Sequence, residues 1–145
     1  MTRRQDDVVT IIVEPSSGIL RAAWAGQLLT GSLIDSYYQL LEVAVAQGCR
    51  YWHLDLRMSI WPAATFMHWF TDTFAPHATQ RLGGPVYVAG WVAEHNQAHV
   101  EDPSTVAMQQ RVAQVNFYPA FFTSEAQARA WLLQQQAHDA TEAEG

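Results

Sequence analysis

Asp55 and Arg57 close an apolar run, Arg50-Tyr-Trp-His-Leu-Asp-Leu-Arg57, and Met58-Ser-Ile-Trp-Pro62 follows at once. On an extended strand a spacing of two puts a carboxylate and a guanidinium on one face, and His53 shares it. Such a set could line a polar pocket; the plainer reading is an ion pair that anchors the loop. Ser59 lies ahead of a helix opened by Pro62, where free backbone N–H groups favour anions, so a phosphate there would be tolerated. A capping or loop serine is the bland alternative. Trp61, Phe66 and Trp69 crowd the same junction, and large aromatics are enriched in interface cores and apolar pockets. Ligands of open α/β sheets bind at the carboxyl ends of strands. The candidate ligand- or partner-binding residues are therefore Asp55, Arg57, Ser59, Trp61, Phe66 and Trp69.

Nothing else in the chain assembles a catalytic set. Serine, histidine and aspartate all occur, but no GxSxG elbow ties them together. Glu94, His95, His99, Glu101 and Asp102 are of metal-binding types, and His95 and His99 would share a helix face. There is no HExxH pattern, and the segment reads as a polar loop, so no metal and no cofactor is expected. All eight basic residues are arginine. Without lysine there is no P-loop lysine, Schiff base or lysine general base. Cys49 is the one cysteine, which rules out an intrachain disulfide and a CxxC motif.

A net charge of -6 and scattered arginines argue against nucleic acid or an anionic membrane as partner. No apolar run approaches the roughly 20 residues of a membrane span, and Gln5, Asp6 and Asp7 interrupt any secretory signal. A soluble cytoplasmic protein is the default expectation.

The elements that must position these residues follow from periodicity. Val8–Val13 and Ile19–Ala25 flank the turn-forming Glu14-Pro-Ser-Ser-Gly18 and predict a hairpin. Leu33, Tyr37, Leu40, Leu41, Ala44 and Val45 fall on one face of a helix, with Ser32 and Asp35 resembling a capping box and Gly48 the stop. Tyr51–Leu56 is the third strand. Pro62 should open a second helix with Phe66, Met67, Phe70 and Phe74 inward, and Pro76 should kink or end it. Val86–Val92 reads as a strand buried on both faces. Ala93–Pro103 is expected to be loop, and Ser104–Gln114 a third helix capped by Ser104. Val115–Phe122 is a strand whose Pro119 favours an edge or a bulge. A final helix from Thr123 or Ser124 presents Ala128, Trp131 and Leu132. The reading is a single-domain α/β protein, one mixed sheet of about five strands with an N-terminal hairpin, covered by about four helices. Residues 1–5 form a tail, 6–137 the domain, and 138–145 an acidic end that frays.

Three pieces, in this order, resemble the SpoIIAA-like branch of the STAS superfamily. They are the hairpin ending Trp24-Ala-Gly26 with Tyr37-Tyr38 in the next helix, Leu54-Asp-Leu-Arg57, and Phe121-Phe-Thr-Ser-Glu-Ala126 with Ala128, Ala130, Trp131 and Leu132. The resemblance spans roughly residues 8–133. It implies a non-enzymatic regulatory module that works through protein–protein interaction, with an unidentified protein partner and a possible homodimer. Relatives of the anti-sigma-factor-antagonist type carry an Asp-Ser-Ser/Thr-Gly-like phosphorylation motif; here Asp55-Leu-Arg-Met-Ser59 lacks the serine pair and the glycine. The likeness extends to lipid-binding CRAL-TRIO folds. The alternative is accordingly a carrier holding a small apolar or amphipathic ligand against the aromatics near Trp61, with an enzyme of unknown class third.

Overall fold

The protein is described here by a computed structural model covering residues 8–26 and 28–144. The expected tail, 1–5, lies outside the described residues. Strand β1 (Val9–Val13) pairs antiparallel with β2 (Leu20–Trp24), and β3 (Tyr51–Asp55), β4 (Val86–Trp91) and β5 (Phe117–Phe122) add in parallel to give the order β1-β2-β3-β4-β5. Each parallel strand is thus laid beside its predecessor. Right-handed crossovers all progressing in one direction put their helices on a single face.

That face carries α1 (Thr30–Gln47), the rod α2–α3 and α5 (Pro103–Ala113). Its core unites Leu20, Ala22, Trp52, Leu54, Val88 and Phe117 of the sheet with Tyr37, Leu40, Phe66, Phe70 and Phe74 of the helices. Period-two alternation sends Tyr51, His53 and Asp55 to the other side. There α6 (Glu125–Glu144) covers β3, β4 and β5, burying Ile19, Ala89, Ala128 and Leu132. β4 is consequently covered on both faces, as its unbroken apolar run predicts. β5 is the edge strand, the place where Pro119 costs no ladder hydrogen bond.

Several boundaries differ from the sequence expectation. Helix α1 starts at Thr30, two residues before Ser32, and its N-cap Leu29 makes no side-chain hydrogen bond, so no capping box forms. Ser36 instead turns inward, accepting from Trp24 Nε1 at 2.8 Å and donating to the Leu33 carbonyl. Gly48 does end the helix, in the left-handed conformation at φ 67°. The second helix begins at Ala64, not Pro62. It runs as α2 (Ala64–Trp69), a π-helical turn (Phe70–Phe74) and α3 (Ala75–Leu82). Pro76 falls in the first turn of α3, so the widened turn ahead of it absorbs the missing backbone donor and the rod continues.

The segment expected to be loop contains a 3₁₀ turn (Glu94–Asn96) and a short helix, α4 (Gln97–Glu101). Asp102, not Ser104, caps α5: its carboxylate accepts from the Ser104 N–H at 2.9 Å. α6 stays helical to Glu144, beyond the boundary expected at 137, with Asp139 accepting from Arg50 Nη2 at 2.9 Å and from the Tyr51 hydroxyl. No helix among the described residues is long and apolar enough to cross a membrane.

Candidate functional site

The carboxyl ends of β3, β4 and β5 open into an apolar cavity of about 80 Å³, roofed by α1, α2 and α5. One water needs roughly 10–15 Å³ of such space, so the cavity would hold several waters or the end of a small organic molecule. Its floor is made by Leu54, Val88 and Gly90, and its far wall by Phe121. Gly90 is paired with Phe121 across the sheet. A Cβ on Gly90 would stand 2.9 Å from Phe121 Cδ1 and 3.2 Å from Leu56 Cδ1. Glycine in the middle of β4 is what lets the Phe121 ring lie over the strand and shape this wall.

Three polar residues, Tyr37, Ser59 and Asn96, line this apolar space with no side-chain hydrogen bond to protein among the described residues. Asn96 is 5% exposed and lines the cavity, and its side-chain amide makes no hydrogen bond among the described residues. Tyr37 is 6% exposed and lines it as well. Its ring is fixed by stacking on Trp24 at 5.1 Å and by edge contacts with Phe70 and Phe74. Burial pushes its hydroxyl far above the usual tyrosine range, so it stays a neutral donor and acceptor. Polar groups in an apolar setting are hydrogen-bonded as a rule, so residues of this kind lining one cavity have solvent or a guest as their available partner.

The loop between β3 and α2 forms the rim. It starts at the Asp55–Arg57 pair: Asp55 accepts from Arg57 through the backbone N–H at 3.1 Å, Nε at 3.0 Å and Nη2 at 2.9 Å. Burial alone would raise the Asp55 carboxyl, but the Arg57 hydrogen bonds outweigh it and hold the group below its ordinary range. The Arg57 guanidinium also lies 3.5 Å over the Trp91 ring. These contacts fasten the loop on the α6 side of the sheet, away from the cavity.

Of the six residues singled out in the sequence, Ser59, Trp61 and Phe66 line the cavity; Asp55 and Arg57 sit on the opposite face and do not. Trp69 also stays out, packing against Tyr38 at 5.4 Å, Phe66 at 5.5 Å and Phe74 at 5.2 Å. Trp61 is half-buried, stacked on His99 at 5.2 Å and tilted against Phe121 at 5.7 Å. Sequence reasoning did not single out Tyr37, Gly90, Asn96 or Phe121 as site residues. Of these only Gly90 carried a signal, a glycine inside a strand pattern, which marks a close approach.

His53 follows Asp55 to the α6 side. It is buried, and among the described residues its Nε2 has no hydrogen-bond partner, with the nearest Glu125 oxygen at 3.9 Å. Burial lowers its pKa, with Arg21 adding to that and Glu125 opposing it, so at neutral pH the 3.9 Å contact is not an ion pair. No group of three or more His, Cys, Asp or Glu side chains is arranged to hold a metal among the described residues. No family model, curated protein or solved structure matches the chain.

Proposed function

We propose that this protein is a non-enzymatic binding module whose ligand is a small, largely apolar molecule held in the cavity beside Trp61. One observation carries the reading: an apolar cavity at the carboxyl ends of the parallel strands is lined by a few polar side chains, Tyr37, Ser59 and Asn96, that make no side-chain hydrogen bond to protein among the described residues. Pockets of this kind pair apolar walls with a few polar groups that orient the guest. The regulatory reading implied by the STAS resemblance fits the same site, since an occupied cavity can alter the loop above it. Met58 and Ile60 of that loop are 63% and 56% exposed, which favours a protein partner docking beside the cavity mouth as the second reading.

Toluene, titrated into isotope-labelled protein, tests the primary reading through the Asn96 side-chain amide resonances. Saturable shifts there, weakened at least fivefold by Gly90→Ala, are expected, because the added methyl displaces Phe121 and Leu56. Native mass spectrometry of the freshly purified protein should in addition show a bound small molecule. An Asn96 amide unmoved up to the solubility limit of toluene, together with a bare mass, would sink the proposal.

A further inference from the structure

The sheet ends in β1 on one side and in β5 on the other, and the two edges are built differently. Along β5, the Asn116 carbonyl accepts from Val86 and the Phe122 carbonyl from Val92. The alternation between them turns Phe117, Pro119 and Phe121 outward. The middle one is proline, with no N–H to give, and its carbonyl already accepts from Gln109 Nε2 at 3.1 Å. At its centre this edge offers a further strand neither donor nor free acceptor, which is how natural sheets guard an edge.

β1 has no such guard. Its Val8 carbonyl end accepts from Ala25 at 3.2 Å, and Glu14 donates to the Ile19 carbonyl at 2.9 Å. With Val9 set against Trp24 and Val13 against Leu20, antiparallel alternation turns Thr10 and Ile12 toward β2. The N–H and C=O groups of Val9, Ile11 and Val13 therefore point away from the sheet, and among the described residues no strand pairs with them. Val9-Thr-Ile-Ile-Val13 contains no proline and no charge, and its register with β2 is unbroken by a bulge. On the α6 side of the sheet that helix spreads over β3, β4 and β5, and Ile12 is left 44% exposed beside the open edge.

An edge of this kind takes an extended strand by backbone pairing, and pockets for alternate side chains are what select a foreign peptide. β1 offers no such pocket. Val9 and Ile11 are already buried in the core, and neither the cavity nor the clefts beside α6 include a β1 residue. A second copy of β1 needs none. Laid antiparallel about Ile11, Val9 meets Val13 of the second copy, Ile11 meets its counterpart, and Val13 meets Val9. All of these face outward, so each pair exchanges two backbone hydrogen bonds. Moving the two-fold axis to Ile12 would set Val9 against Pro15, which has no N–H. About Ile11, each Ile12 lies opposite a Thr10 and diagonal to the other Ile12, which covers the exposed side chain. We infer that this protein forms a symmetric dimer through β1, joining two five-stranded sheets into one, and that the guarded β5 edges end the assembly there.

Light scattering over a hundredfold range of concentration, paired with backbone amide exchange on the full chain, tests this. The mass should reach that of two chains and no more. The Val9, Ile11 and Val13 amides should exchange at least tenfold more slowly in the dimer than in the monomer, while Thr10 and Ile12 stay protected in both. Val13→Pro removes an outward donor without touching the β1–β2 ladder, and Ile12→Lys places the usual edge charge at an exposed position. Each should weaken self-association at least tenfold, with the exchange of Trp52 and Val88 in the core showing that the fold is kept. A single-chain mass at every concentration would overturn the inference. If the three outward amides were protected in that monomer, the chain's own N-terminal segment would be the occupant. A dimer that leaves those amides unprotected, or that both variants form as tightly as the parent, would place the interface elsewhere. Growth past two chains would overturn the closed assembly.

Discussion

At the scale of single residues, the polar side chains that line the cavity without a protein hydrogen bond among the described residues matter most, and Asn96 makes their role measurable. An amide in an apolar wall that has only cavity solvent for a partner contributes less to stability than a packed apolar side chain in the same place. A protein selected for packing alone would place leucine there. Asn96→Leu should therefore raise the melting temperature of the ligand-free protein by a few degrees, for a gain of about 1 kcal/mol in a domain of this size. The same substitution should weaken toluene binding, because the added volume fills the cavity. A variant that melts clearly lower would assign Asn96 a structural partner and a structural role. Ser59 offers the contrast. It lines the cavity half-buried, its N–H closes a turn onto the Leu56 carbonyl at 3.1 Å, and its hydroxyl makes no hydrogen bond among the described residues. Ser59→Ala should leave the melting temperature within about 1 °C of the parent, a surface-like change.

The elements that hold these residues show where sequence was legible. The strands of the sheet, the hairpin, the stripe of Phe66, Phe70 and Phe74, the stop at Gly48 and the edge position of β5 all follow from period-two or period-3.6 burial and from the backbone limits of glycine and proline. The site residues were half legible. A run of aromatics at a strand end signals an apolar junction, but sequence cannot say which face each one takes after the strand ends. Asp55 keeps the alternation of β3 and Arg57 folds back onto it, so both went to the α6 side. Tyr37 looked like any stripe residue, because a stripe position that also lines a cavity has no local sequence signature. Helix starts were legible only where a side chain caps them, and α1 shows why. Its N-cap Leu29 is extended at φ -67°, ψ 155°, is 84% exposed and caps nothing, while helix-starting signals two residues on are drawn into the helix. Leu29→Asp keeps that backbone conformation, supplies an acceptor for the free first-turn N–H groups and places a negative charge at the positive helix end. It should raise stability by about 1 kcal/mol, read as a higher denaturant midpoint at unchanged slope. A lower midpoint would mean that the Leu29 side chain makes contacts that its exposure does not reveal.

For the whole molecule, the sheet separates two chemistries. One face holds the aromatic core and the cavity; the other holds a charged seam joining the hairpin to α6. Glu14 accepts from Arg129 at 2.9 and 3.1 Å, Arg21 reaches Glu125 at 3.2 Å, and His53 lies buried beneath them. This seam sets how stability responds to acid. Hydrogen bonds from Arg129 hold the Glu14 carboxyl below its ordinary range, and the Tyr51 hydroxyl, with Arg50, does the same for Asp139. A carboxylate depressed in the folded state contributes stability above its unfolded pKa, near 4, and that contribution is lost as pH falls through the folded value. His53 acts earlier on the same sign. Its folded pKa is lowered chiefly by burial, so the unfolded chain binds the proton more readily, and stability starts to fall as pH drops below the unfolded value of about 6.5. Acid unfolding should thus come in two stages, one beginning near pH 6.5 and a steeper one near pH 4. His53→Gln, neutral at every pH, should erase the first stage and leave the second in place, as read from urea midpoints between pH 4 and 8. Retention of the upper stage in His53→Gln would show that another group titrates there and that the Glu125 carboxylate, 3.9 Å away, has already compensated the imidazole.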